Sequence, residues 1–180
     1  MFHKRFRALI LALSVFAMMA PAAFASDGTQ AVVTGGTLSI TNPLADNFTP
    51  VTLNGTEQSP TAALAGFTVT DPRGTGAGWH VTAQATQFAN AGATRSLAAG
   101  SLEMSEPTVA ANGTNSPEPD IAAGPYVIDG DSAVSIASAA LDDGMGAYDF
   151  SASTLTLTVP ADAYAATYLS TVTISVVTAP

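Results

Sequence analysis

The sequence predicts an all-β fold, an antiparallel β-sandwich of the Ig-like or Greek-key type. Three observations predict it. Short segments alternate Thr or Ser with Val, Ile and Leu at period 2. Clusters of Gly, Pro, Asn and Asp separate them, as turns require. Beyond the first 25 residues, no stretch combines a 3.6-residue apolar period with helix caps, although Ala161–Ala166 is long enough for one helical turn.

Taken in order, Thr37–Thr41 alternates and is stopped by Asn42-Pro43. Val51–Leu53 runs into Asn54-Gly55, a type I′ turn signal, and is read as a strand. Phe67–Thr70 points two apolar residues to one face. Trp79, Val81, Ala83 and Ala85 alternate with His80, Thr82, Gln84 and Thr86, giving one apolar and one polar face. Ala133–Ala137 and Tyr148–Phe150 alternate in the same way. Leu155–Val159 and Tyr168–Val176 are expected to pair as the terminal antiparallel strands, joined through Pro160 and the alanine-rich turn. Residues 110–125, with three prolines and no apolar alternation, are expected to form an exposed loop, and residues 26–30 a flexible start.

Lys4, Arg5 and Arg7 precede an apolar run over residues 8–20, and Ala23-Phe24-Ala25 follows. A basic n-region, a short h-region and a small-x-small end predict a secretory signal peptide over residues 1–25. One domain over residues 26–180 remains. It keeps Arg73 and Arg95 as its only strong cations against fourteen Asp and Glu, a formal charge of −12. Nucleic acid is excluded, because phosphate binding needs clustered Lys or Arg. The absence of Cys excludes disulfides, and with His80 as its one histidine the domain has no Cys- or His-based zinc site. No lysine remains for isopeptide, Schiff-base or P-loop chemistry. No later apolar run reaches the roughly 20 residues of a membrane span.

The segment Asp71-Pro72-Arg73-Gly74-Thr75-Gly76-Ala77-Gly78-Trp79 stands apart. A strand enters a glycine-rich turn and restarts at the only tryptophan. The glycine spacing is not that of a dinucleotide fingerprint, and a strand follows, so no helix N-terminus faces an anion. Glycines at 74, 76 and 78 suit a tight turn with positive φ. Asp71 and Arg73 are expected to pair at the surface across the turn mouth, at under about 1 kcal/mol.

This run, with the C-terminal VPADAYAATYLSTVTISVVTAP, resembles the WxL domain of Gram-positive surface proteins. The family's D-x-R-G-T-G-x-G-W-x-L/V segment is matched at Asp71, Arg73, Gly74, Thr75, Gly76, Gly78, Trp79 and Val81. Its terminal segment is matched at Pro160, Tyr164, Tyr168 and Pro180, with Ile174 and Val176 where tryptophan and leucine are typical. The resemblance spans essentially the whole chain after residue 25. It implies a secreted protein held noncovalently at the cell wall by peptidoglycan, working with other WxL-family proteins or a transmembrane WxL-interacting partner. No LPxTG-like signal or lipobox cysteine speaks for a covalent anchor. A structural or adhesin subunit without glycan affinity of its own is the alternative.

Trp79, His80, Val81, Tyr168, Ile174 and Val176 are therefore the candidate wall- or partner-binding residues, and Asp71, Arg73, Gly74, Gly76 and Gly78 the motif turn. Trp79 is either a core anchor, in period with Val81 and Ala83, or a sugar platform; a buried ring needs a partner for its indole N–H. Ile174 falls in period with Val172 and Val176, which favours a core position. His80 is expected to face outward beside Thr82 and Gln84. Catalysis is not expected: no G-x-S-x-G elbow occurs, and nothing singles out two of the acids as a glycosidase pair. The doublets Asp129/Asp131 and Asp142/Asp143 are read as solvated turn residues rather than a Ca²⁺ site, since no EF-hand pattern is present. No cofactor or metal is expected.

Overall fold

The computed structural model describes residues 28–179, so the expected signal peptide lies outside the described residues. Residues from Val33 onward form one contact unit, which is all-β and antiparallel. Its strands are β1 (Ser39–Ile40), β2 (Thr61–Leu64), β3 (Phe67–Asp71), β4 (Trp79–Ala85), β5 (Ala89–Asn90), β6 (Leu102–Met104) and β7 (Val109–Ala111). They continue with β8 (Asp120–Ile121), β9 (Tyr126–Val127), β10 (Val134–Ala139), β11 (Gly146–Phe150), β12 (Ser153–Leu157), β13 (Tyr168–Leu169) and β14 (Val172–Thr178).

One layer of the sandwich is the sheet β14-β4-β10-β8. The other is the sheet β1-β3-β11-β7, which runs on around a bend into β2-β12-β6-β9. The bend leaves the pairing intact. Phe150 faces Phe67 on one side of it and Ser153 faces Leu64 on the other, so a single register crosses the corner. The β7–β6 strand keeps its register on the same central ribbon, with Phe150 opposite Val109 and Leu155 opposite Met104. Strands that switch sheets through such a bend are how a sandwich turns its corners. A small sheet, β13-β5, closes one end.

The period-2 patterns fix what lies between the layers. Trp79, Val81 and Ala83 of β4 and Ile136 and Ala137 of β10 have essentially no exposed surface. Facing them are Val69 of β3, Tyr148 and Phe150 of β11 and Leu155 of β12. The Trp79 ring lies 6.1 Å from Tyr148 and 6.5 Å from Phe150, and Phe150 stacks on Phe67 at 4.6 Å. Burial of this set supplies most of the driving force for the fold, at roughly 1.5–3 kcal/mol per large side chain.

Several expectations are corrected. Leu155–Val159 and Tyr168–Val176 do not pair: β12 lies between β2 and β6, while β14 pairs with β4. Alternation decides which face a residue takes and leaves the partner strand open. Val51–Leu53 is not a strand, because local bonds satisfy its neighbourhood instead. Gln58 Nε2 donates to Thr52 O at 2.9 Å, and the Thr56 amide donates to Asn54 Oδ1 at 3.0 Å. Residues 110–125 are not one loop, since Asp120–Ile121 adds to β10 as an edge strand. Ala133–Ala137 does not alternate throughout: a bulge between Ser135 and Ala137 turns both Ile136 and Ala137 inward. The alanine-rich segment is a turn as expected, with the Ala163 amide on Pro160 O.

Candidate functional site

The glycine-rich turn is a latch. Strand β3 delivers the Asp71 carboxylate into the interior, where the residue is only 2% exposed. Arg73 comes back over it as a fork: Nε donates to Oδ1 and Nη2 to Oδ2, both at 2.8 Å. The same guanidinium donates to Gly78 O at 2.8 Å and, through Nη1, to Thr178 Oγ1 at 2.9 Å. The expected surface pair is therefore a largely buried, bidentate one, which ties the turn to the last strand. These hydrogen bonds hold the Asp71 carboxyl below its ordinary value of 3.8 against the upward pull of burial. They raise the Arg73 guanidinium further.

Gly74, Gly76 and Gly78 all have positive φ. Gly78 also has no room for a side chain, since a Cβ there would lie 2.5 Å from Ala139 O. The close approach lets the turn dock on the 139–144 loop, where the Asp142 amide donates to Gly76 O at 2.8 Å. Trp79 follows at once, its indole N–H donating to Gly144 O at 2.9 Å. With no exposed surface, Trp79 and Val81 anchor the core.

The structure divides the six sequence candidates among three places. Trp79, Val81, Ile174 and Val176 belong to the inward face of the β4–β14 pair, where Val81 is opposite Val176 and Ala83 opposite Ile174. Ile174 is 8% exposed, so a β-branched residue fills an interior position there. His80 lies on the opposite, outward face. Tyr168 lies on β13, partly buried against the edge of the core.

The outward face of β14-β4-β10 is built from cross-strand rows. Val177, His80 and Ser138 form one row, and Ser175, Thr82 and Ser135 the next; Thr173 and Gln84 begin a third. These side chains are exposed or half-buried, and no side-chain hydrogen bond within the described residues engages His80, Thr82, Gln84, Ser135, Ser138, Thr173 or Ser175. The face is mostly polar, with Val177 exposed on it; Asp120 on β8 neighbours Ser138, and Asp131 lies beside Gln84 and Thr173.

A second surface was not legible from the motifs. A groove of about 880 Å³ runs between the 45–53 segment, β12 and the 163–172 segment. Phe48, packed edge-on to Phe88 at 5.7 Å, forms part of its wall. Tyr168 lines it half-buried, and Leu53 and Leu169 stand exposed along it. Beside it, the guanidinium of Arg95 lies 3.7 Å from the ring centre of Tyr164. Tyr164 and Tyr168 in the terminal segment were the available signal; the 45–53 wall carried none.

Among the described residues, no three His, Asp or Glu side chains gather as metal ligands. Asp129 of the first acidic doublet is buried, and its oxygens accept the amides of Gly100 and Ser101 at 3.0 Å each.

The described residues thus form an antiparallel sandwich with a mostly polar sheet face and a separate, largely apolar groove. The chain belongs to the WxL domain family of surface cell-wall-binding proteins, whose family model, described as "WxL domain surface cell wall-binding", matches residues 28–180. Membership places the protein at the cell surface, with the cell wall as its partner. No protein with a curated description and no solved structure matches the chain.

Proposed function

We propose that this is a secreted, noncatalytic protein that attaches noncovalently to peptidoglycan through the outward face of β14-β4-β10. Residues 1–25 direct export and are removed. The observation that carries the reading is the set of uncommitted hydroxyl, amide and imidazole groups on that face, from Thr173 and Ser175 through His80, Thr82 and Gln84 to Ser138. Hydroxyl, amide and imidazole groups spaced along one sheet face suit a polymer of sugar rings. Binding through them does not depend on cations, which the domain lacks.

The test is sedimentation of purified residues 26–180 with protein-free cell walls. The wild-type domain is expected in the pellet, without release of wall fragments. A Thr173→Glu/Val177→Glu variant, changed at two exposed positions, is expected to stay in solution. The alternative, a subunit of a surface complex that also involves other WxL-family proteins or a membrane-spanning partner, is favoured by the apolar groove. It predicts no sedimentation with bare walls.

A further inference from the structure

The groove and the sheet face differ in chemistry, and the difference bears on what each receives. Polar side chains on the sheet face are free, whereas several of those along the groove are spent. Thr49 Oγ1 donates to Thr61 O at 3.3 Å, the Tyr168 hydroxyl donates to Tyr164 O at 3.0 Å, and the Ser170 hydroxyl donates to Thr86 O. The large side chains most exposed along it are Leu169 at 67%, Tyr164 at 60% and Leu53 at 38%. The side chains of Asp46, Asn47, Thr52 and Thr167 also line the groove, beside this larger apolar surface. An aliphatic side chain needs only surface to bury.

Charge narrows the occupant further. Of the two strong cations in the described residues, Arg73 is held by Asp71, and that is the only ion pair there. Arg95 has no carboxylate partner. It is fixed at the rim by the 90–95 turn, where the Arg95 amide donates to Asn90 Oδ1 and the Asn90 amide to Arg95 O, both at 2.9 Å. Its guanidinium is held against Tyr164 with its N–H edge unspent. In a domain with twelve excess negative charges, one uncommitted guanidinium beside an apolar groove is complementary to an acidic group on an otherwise apolar ligand. The same net charge speaks against a second copy of this chain as occupant. The volume suits a short segment and not a folded domain.

We propose that this groove is a docking site for a short, extended, apolar segment of a partner polypeptide, which carries an Asp or Glu side chain that meets Arg95. Apolar side chains of the segment cover Leu53, Leu169 and Phe48, and its carboxylate pairs with the guanidinium stacked on Tyr164. The site is separate from the proposed wall face, so one domain holds the wall and a protein at once.

The test is selection of displayed random twelve-residue peptides on the immobilised protein, run in parallel on a Leu53→Asp/Leu169→Asp variant. Both substitutions are at exposed positions, and an unchanged melting temperature verifies the fold. Peptides with several aliphatic or aromatic residues and at least one acid are expected to enrich on the wild type alone. A synthetic peptide of the enriched sequence should bind at least tenfold more weakly to the double variant and several-fold more weakly to Arg95→Gln. Replacing its acid with the corresponding amide should reproduce the Arg95→Gln loss and add little to it. The double variant should still sediment with walls. No enrichment over the double variant overturns the proposal, as does an N-acetylglucosamine oligosaccharide that shifts the groove's amide resonances. Loss of wall sedimentation in the double variant also overturns it, because the groove would then be the wall site.

Discussion

The indole N–H of Trp79 donates to the main-chain carbonyl of Gly144 at 2.9 Å, joining residues 65 positions apart in the chain. The bond satisfies the one polar atom of a ring that is otherwise packed against Tyr148 and Phe150. Trp79→Ala is expected to cost about 3–5 kcal/mol, as large-to-small core substitutions do. Trp79→Phe, which keeps much of the apolar ring and loses the donor, should cost less. Urea unfolding checks both: the midpoint should fall with the slope unchanged.

Gly144 is the other half of that contact. Its φ is +72°, and a Cβ there would lie 2.4 Å from the Ala139 Cβ and 2.6 Å from Trp79 Nε1. Gly144→Ala should therefore destabilise the domain by about 2–4 kcal/mol through strain and overpacking. Gly74→Ala, at a similar φ but with open space around it, should cost about 1–2 kcal/mol from the backbone alone. Thermal melts of the two variants separate the contributions.

The Asp71–Arg73 latch sets an acid limit. The folded Asp71 carboxyl titrates below its ordinary value of 3.8. Its contribution to stability is therefore complete above that value and is lost as pH falls through the lower folded value. Asp71→Asn should cost about 2–3 kcal/mol at neutral pH, short of a fully buried pair because Arg73 keeps some solvent contact. The variant should also lack the part of the acid-induced stability loss that Asp71 carries. Arg73→Lys should not rescue, since an ammonium cannot reproduce the fork that reaches Asp71, Gly78 and Thr178 together. Melting temperatures measured from pH 7 to pH 2.5 check the sign and the window.

Much of the fold was legible because alternation reports burial directly. The pattern of β4 put Trp79, Val81 and Ala83 on one face and His80, Thr82 and Gln84 on the other, and the structure turns the first face inward, which decides Trp79 as a core anchor. The same logic placed Ile174 in the interior. Partnership was less legible. Leu155–Leu157 and Val172–Thr178 look like successive hairpin strands, yet they lie in different sheets, because pairing is decided by tertiary packing across the corner. Strands such as Thr61–Leu64 and Asp120–Ile121 were missed, being two to four residues long and defined by their neighbours rather than by composition. The latch was visible as a motif. Its burial was not, because the carboxylate is covered by Arg73, itself fixed by Gly78 and Thr178, and Asp71 is paired with Gly146 of β11. The groove was not legible, since one wall comes from residues 45–53, of which only Val51–Leu53 carried a pattern, and that pattern read as a strand.

Wall association should respond to pH in the direction that the acidic surface dictates. At neutral pH the excess carboxylates repel an anionic wall within a Debye length of roughly 8–10 Å. Lowering the pH from 7 to 4.5 reduces that repulsion. The Asp71 carboxyl, held below its ordinary value by Arg73, keeps its ion pair over this range. Binding should strengthen towards pH 4.5, and salt at neutral pH should reproduce part of the gain. Binding that EDTA abolishes, or that declines steadily with acid, would instead point to carboxylate-held Ca²⁺.

The most direct measurement is sedimentation with protein-free walls for three proteins side by side: wild type, Thr173→Glu/Val177→Glu on the sheet face, and Leu53→Asp/Leu169→Asp at the groove. Circular dichroism confirms that each is folded. The account predicts wild type and groove variant in the pellet and the sheet-face variant in the supernatant. A sheet-face variant that sediments like wild type would contradict it.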